Sequence, residues 1–123
     1  MWSFQDVAHD LWDFDIASPP ILHDLRIKDK VFEVVISLTK TGNTLILDRK
    51  TGRPIFDIEY KKAPSSKLVG DFANPFQIFL NKPERFSKIE YSHEDYDELP
   101  KIKVDEIKKK LRDSIFGWFE TPS

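Results

Sequence analysis

The sequence predicts a mostly β fold, an antiparallel meander followed by a carboxy-terminal amphipathic helix. Three observations carry this reading. Val31 to Tyr60 holds three short apolar runs rich in β-branched and aromatic residues, which favour a pleated, half-buried surface over a helix. Two turns separate the runs, Thr39-Lys40-Thr41-Gly42-Asn43 and Asp48-Arg49-Lys50-Thr51-Gly52-Arg53-Pro54, and each carries a glycine that lets the chain reverse on itself. From Val104 the period changes, with Val104, Ile107, Leu111 and Ile115 at helical spacing and Lys108, Lys109, Lys110 and Arg112 on the other face.

Taken in order, Trp2 to Val7 alternates large and polar residues and reads as a strand at the very start. His9 to Asp15 is a dense cluster of carboxylates and rings in a loop, and Pro19-Pro20 fixes an extended exit from it. Ile21 to Ile27 is the next strand, and Lys28-Asp29-Lys30 reverses it into the meander. The expected count is four consecutive strands between about Ile21 and Tyr60, with an orphan strand ahead of them. Lys61 to Lys88, punctuated by Pro64, Pro75 and Pro83, reads as a long irregular segment. The acidic stretch Ser92 to Pro100 reads as a solvated loop. The helix is expected over about 104–116, with Gly117 as its stop and a basic face turned to solvent. No segment repeats in full.

At 123 residues the chain has room for a single domain with a modest core. Charged residues make up 33% and apolar residues 40%, a balance that sets it apart from disordered sequences. A net charge of -2 gives no reason to expect nucleic acid as a partner. No apolar run approaches the roughly 18 residues a membrane span requires, and the first residues lack the pattern of a signal peptide. The ten Phe and three Trp are more rings than a lone meander can bury. They either pack on the carboxy-terminal half or expect neighbours outside this chain.

Asp10, Asp13 and Asp15 stand among Trp12 and Phe14. A carboxylate beside apolar rings is partly desolvated and holds its proton more tightly, which suits a general base. The plainer alternative is a loop whose Asp side chains accept hydrogen bonds from nearby backbone amides, and spacing alone favours it. Lys40, before Gly42 in a tight turn, could reach a ligand carbonyl or carboxylate or simply face solvent. His9, His23 and His93 have neither the pairing nor the Cys companions of a zinc site, and no calcium-loop, phosphate-loop or dinucleotide pattern is present.

Taken together, Trp2-Ser3-Phe4-Gln5, Val7-Ala8-His9-Asp10-Leu11-Trp12-Asp13-Phe14-Asp15, Thr39 to Asn43 and Leu47 to Gly52 closely resemble, in the same order, the quinoprotein dehydrogenases that use pyrroloquinoline quinone (PQQ). The nearest likeness is to the membrane-bound glucose dehydrogenase branch. It is strongest from Trp2 to Phe56 and looser to the end, where Phe119 to Ser123 is similar to the segment before the family's next blade. The resemblance implies an eight-bladed β-propeller whose blades are four-stranded antiparallel meanders. Residues 1–20 would then be the end of a preceding blade with an active-site loop, 21–60 one blade, and 61–123 an inter-blade insertion with the helix. Asp48 to Phe56 looks like the family's blade-docking motif, D-x-x-T-G-x-x-x-W, with Phe56 where the family usually has Trp.

By the same resemblance Asp13 is the catalytic base, taking the proton of a sugar or alcohol hydroxyl while hydride passes to the quinone. Lys40 is the cofactor-contacting amine, and the 27-residue separation of the two agrees with the family's. A Ca²⁺ or Mg²⁺ ion would accompany the cofactor, held mostly by residues outside this chain. The implied partners are the remaining blades and a quinone electron acceptor, and the implied compartment is the periplasm. Ala8 stands where that branch commonly has the first histidine of His-His-Asp, which leaves glucose itself open as the substrate. The resemblance also implies a piece of a longer protein, inactive alone. The alternatives are a non-catalytic propeller piece or interaction module, which has no reason to keep His9 to Asp13 together with Lys40, and a decayed, inactive remnant of the enzyme, which the sequence leaves open.

Overall fold

The computed structural model describes residues 1–67, 69–88, 100–110 and 117–120, apart from the Ile102 side chain. Strands β1 (Ile21–Ile27), β2 (Lys30–Leu38) and β3 (Thr44–Asp48) form an antiparallel sheet in the order β1-β2-β3. Lys28 and Asp29 make the first reversal, so that Ile27 pairs with Lys30 and Ile21 with Ile36. Val35 then pairs with Leu47 and Leu38 with Thr44.

The fourth strand departs from expectation. Only Leu47 and Pro54 bridge, flanked by bonds from the Asp48 N–H to the Arg53 carbonyl (2.8 Å) and from the Ile55 N–H to the Ile46 carbonyl (2.9 Å). Pro54 faces away from those bonds, so its missing N–H leaves no acceptor unpaired there. The chain then bends at Ile55 and Phe56, and the alternating run continues as β4 (Ile58–Lys62) in a second sheet. There β4 pairs antiparallel with β5 (Phe76–Leu80), a strand inside the stretch expected to be irregular. The β-rich pattern identified the fourth run as a strand but left its partner open. The first sheet therefore has three strands and one bridge, not four strands.

Trp2 to Val7 is not a strand either, because side-chain contacts anchor it instead of a ladder. The indole N–H of Trp2 donates to the Arg49 carbonyl (3.0 Å). Its ring lies against Gly52, where an added Cβ would come within 2.5 Å of it. Gly52 has φ of 72°, and Asp48 fixes the turn by accepting from the Lys50 N–H, the Thr51 N–H and the Thr51 hydroxyl. The Thr51 hydroxyl and then its N–H hold the Asp48 carboxyl below the usual range. The turn from Asp48 to Gly52 is thus covered by the Trp2 ring, with the indole N–H bonded to the Arg49 carbonyl.

The two sheets meet at a core of Leu45, Leu47 and Leu80, joined by Phe4, Ile16, Val35 and Ile58. Helix α1 (Lys101–Lys110) begins after Pro100, whose carbonyl accepts from the Lys103 and Val104 N–H groups. It starts three residues earlier than the spacing predicts, and residues 111–116 lie outside the described residues, as does most of the acidic stretch before Pro100. The expected packing of surplus rings on the carboxy-terminal part is found for some of them. Trp12, Phe14 and Phe79 pack on Trp118 and Phe119, while Tyr60, Phe76 and Phe86 stay exposed.

Candidate active site

The loop carrying Asp13 is built by contacts from distant parts of the chain. The carboxylate of Asp10 accepts from the N–H groups of Trp12 (2.9 Å) and Phe14 (2.7 Å), so for Asp10 the plainer, structural alternative is what the structure shows. The Trp12 indole donates to the Glu120 carbonyl (2.8 Å) and meets Phe119 edge to face. On the other side Gln77 of β5, 1% exposed, locks onto Ala8. Its carbonyl accepts from the Ala8 N–H (2.9 Å) and its amide donates to the Ala8 carbonyl (2.7 Å). His9 stacks on Phe72 at 4.1 Å. Within this frame His9 and Asp13 take left-handed φ values of 50° and 61°.

Lys40 is presented by an equally fixed turn. Thr39, Thr41 and Asn43 are buried and bonded to one another: the two hydroxyls lie 2.7 Å apart, and the Asn43 amide donates to Thr41 (3.0 Å). Arg85 donates to the Asn43 side chain (3.2 Å), and the Phe86 N–H donates to the Gly42 carbonyl (2.9 Å). Strand β5 and the segment after it therefore brace both pieces, the acid's loop through Gln77 and the amine's turn through Arg85 and Phe86.

The two candidates meet. Lys40 Nζ donates to the Asp13 carbonyl (2.8 Å), to Asp13 Oδ2 (3.3 Å) and to Asp15 Oδ1 (2.9 Å). The Asp13 side chain is 90% exposed and that of Lys40 36%. The bond to Asp15 is the main cause that raises the Lys40 ammonium above its ordinary value; desolvation opposes it and Asp13 adds to it. Hydrogen bonds from Lys40 and then with Asp13 hold the Asp15 carboxyl down. Desolvation beside rings, expected for Asp13, falls instead on Asp6, whose Oδ2 is buried without a partner.

Burial, and then the Asp10 charge, push the Asp6 carboxyl up to about 6 from an ordinary 3.8. The folded state thus binds this proton more tightly than the unfolded chain. Stability is lost as pH rises between those two values and levels off above them. Asp6→Asn should remove up to about 3 kcal/mol of that slope, read as the difference between variant and parent in urea unfolding from pH 4 to 7. Equal slopes would show that Asp6 titrates normally.

Sequence reasoning paired Asp13 with Lys40 but did not place Asp15 on Lys40 and gave no role to Gln77. Gln77 had a signal, a polar residue inside the run Phe76 to Leu80, since a buried amide must find partners. Among the described residues no group of three or more His, Cys, Asp or Glu side chains is arranged to hold a metal ion, and no helix is long and apolar enough to cross a membrane.

A family model described as "PQQ: Glucose/ethanol/alcohol dehydrogenase, beta-propeller domain" matches residues 1–123. The chain belongs to this family. The match bears out the mostly β, antiparallel propeller fold expected from the resemblance. Among relatives of this PQQ family, the quinoprotein glucose dehydrogenase of Escherichia coli is 37% identical over 78 residues, 63% of this chain and 10% of that protein. Quinoprotein glucose dehydrogenase A of Acinetobacter calcoaceticus is 35% identical over 96 residues, 77% of this chain and 12% of that protein. The glycerol dehydrogenase large subunit of Gluconobacter thailandicus is 41% identical over 78 residues, 62% of this chain and 10% of that protein. The chain spans about a tenth of the length of these relatives. No solved structure matches it.

Proposed function

We propose that this chain supplies the acid–amine wall of a PQQ-dependent dehydrogenase that oxidises a sugar or alcohol hydroxyl. The observation behind it is the meeting of Asp13 and Lys40, with the Lys40 ammonium on both the carbonyl and the carboxylate of Asp13. The donor set suits the cofactor. A partly exposed ammonium, fixed by a buried polar turn, can donate to the oxygens of an anionic quinone, and a largely exposed carboxylate beside it can receive a hydroxyl proton. The names of the relatives, glucose and glycerol dehydrogenases, fit the same substrate class.

In this reading Asp13 accepts the proton of the substrate hydroxyl as the adjacent carbon gives up a hydride. PQQ with Ca²⁺ or Mg²⁺ supplies the two-electron acceptor when bound, the ion being held by other parts of the propeller. Lys40 orients the cofactor by hydrogen bonding its oxygens, and the bracing by Gln77, Arg85 and Phe86 keeps the acid and the amine at working distance. The remaining blades, a quinone electron acceptor and a periplasmic location belong to the same proposal.

The test is a graft in which this chain replaces the matching segment of the Acinetobacter calcoaceticus glucose dehydrogenase, loaded with PQQ and Ca²⁺. Dye reduction with at least one sugar or polyol is the expected outcome. A graft that binds PQQ and turns over none of them would reduce the chain to a scaffold piece.

A further inference from the structure

We propose that Asp15 is the standing counter-ion of Lys40, a positioning residue that keeps the ammonium in place so that Asp13 can let go of it and act as base. The inference rests on the proposed dehydrogenase reading and goes beyond it by naming a third member of the site. An ammonium has three N–H donors, and Lys40 has three acceptors: the Asp13 carbonyl at 2.8 Å, Asp15 Oδ1 at 2.9 Å and Asp13 Oδ2 at 3.3 Å. The ligand-free amine is therefore saturated. To donate to a quinone oxygen it must give up one of the three, and the longest contact is the one to the Asp13 carboxylate.

The exchange leaves each charge where the chemistry needs it. Two carboxylates and one ammonium carry a local charge of minus one. Once the contact to Asp13 Oδ2 is released, Lys40 and Asp15 form a neutral pair and Asp13 keeps the negative charge and its free lone pairs. Without Asp15 the ammonium would fall to Asp13 alone and tie up the lone pairs that must receive the proton.

The local sequence explains how one short segment presents both acids. Asp13 and Asp15 both reach Lys40, while Phe14 between them has its N–H held by Asp10 and its ring edge to face with Phe119. The aromatic cluster thereby fixes the residue between the two acids. Asp15 is itself 63% exposed and is held by Lys40 rather than by burial.

The first test uses the 123-residue chain without cofactor and follows the Asp15 carboxyl by carbon-detected NMR titration. Asp15 should titrate below the ordinary carboxylate range and return to it in Lys40→Met. An ordinary titration in the parent, unmoved by Lys40→Met, would overturn the proposal. The second uses the Acinetobacter graft loaded with PQQ. Asp15→Asn should lower kcat by about tenfold, the value of one charge-assisted hydrogen bond, with KM for substrate changed by less than about twofold. Parental kcat in Asp15→Asn would also overturn it, even with the titration as expected. Parental kcat in Asp13→Asn would instead sink the dehydrogenase reading on which it rests, so the two failures are told apart.

Discussion

Asp13→Asn in the PQQ-loaded graft should lower dye-linked turnover by about 10²- to 10⁴-fold, the usual worth of a positioned general base. The substitution is nearly isosteric and leaves the shortest contact of Lys40 intact, because that bond ends on the Asp13 main-chain carbonyl at 2.8 Å. The Trp12 and Phe14 N–H groups still have Asp10 as their acceptor, so the loop has no cause to move. The capacity to take a proton is removed, together with the carboxylate's 3.3 Å contact to Lys40. PQQ affinity, read by fluorescence titration, should stay within a few-fold of the parent's while kcat collapses. A variant that binds the cofactor and turns over at the parental rate would remove Asp13 from the role of base and, with it, the reading of the acid–amine wall as the reacting site.

Gly42→Ala is expected to destabilise the chain by about 2–4 kcal/mol, combining left-handed strain with overpacking. Gly42 has φ of 76°, and a Cβ built there would lie 2.4 Å from the Ser87 carbonyl oxygen. The obstruction is backbone, so no rotamer change relieves it. The Gly42 carbonyl also accepts the Phe86 N–H, and the segment around Arg85 would have to lift off the turn that presents Lys40. A lower urea midpoint at unchanged slope is the expected readout. An unchanged midpoint would mean that this segment does not press on the turn in solution.

How far the sequence revealed the molecule depended on the range of the interaction. The hairpins from Ile21 to Asp48 were legible because their pairing is set by neighbouring runs and by turns with the right residues. The fourth run looked like a strand and is one, but its partner lies beyond a loop and two prolines, and no local pattern names a partner at that distance. Strand β5 was hidden between Pro75 and Pro83, which bound it without interrupting it. The Asp13–Lys40 pairing was legible through resemblance, and spacing alone did not select it. Asp15 sat in plain view in the same segment, yet nothing local distinguishes the acid nearest the amine from its neighbours. The burial of Asp6 was not readable at all, because it depends on how separate segments close over one side chain. Trp2 looked like part of a strand, since an alternating hexamer gives no hint that its first ring docks on a turn 47 residues away.

The sequence distances of the bracing contacts also bear on the order in which the site comes into being. The hydroxyls and amide that shape the Lys40 turn lie within four residues of one another and can close almost as soon as that stretch is made. The Asp13 loop waits for an amide 69 residues downstream and for a carbonyl 108 residues beyond Trp12. During synthesis the amine is therefore set early, and the acid takes its place only after Glu120 has emerged.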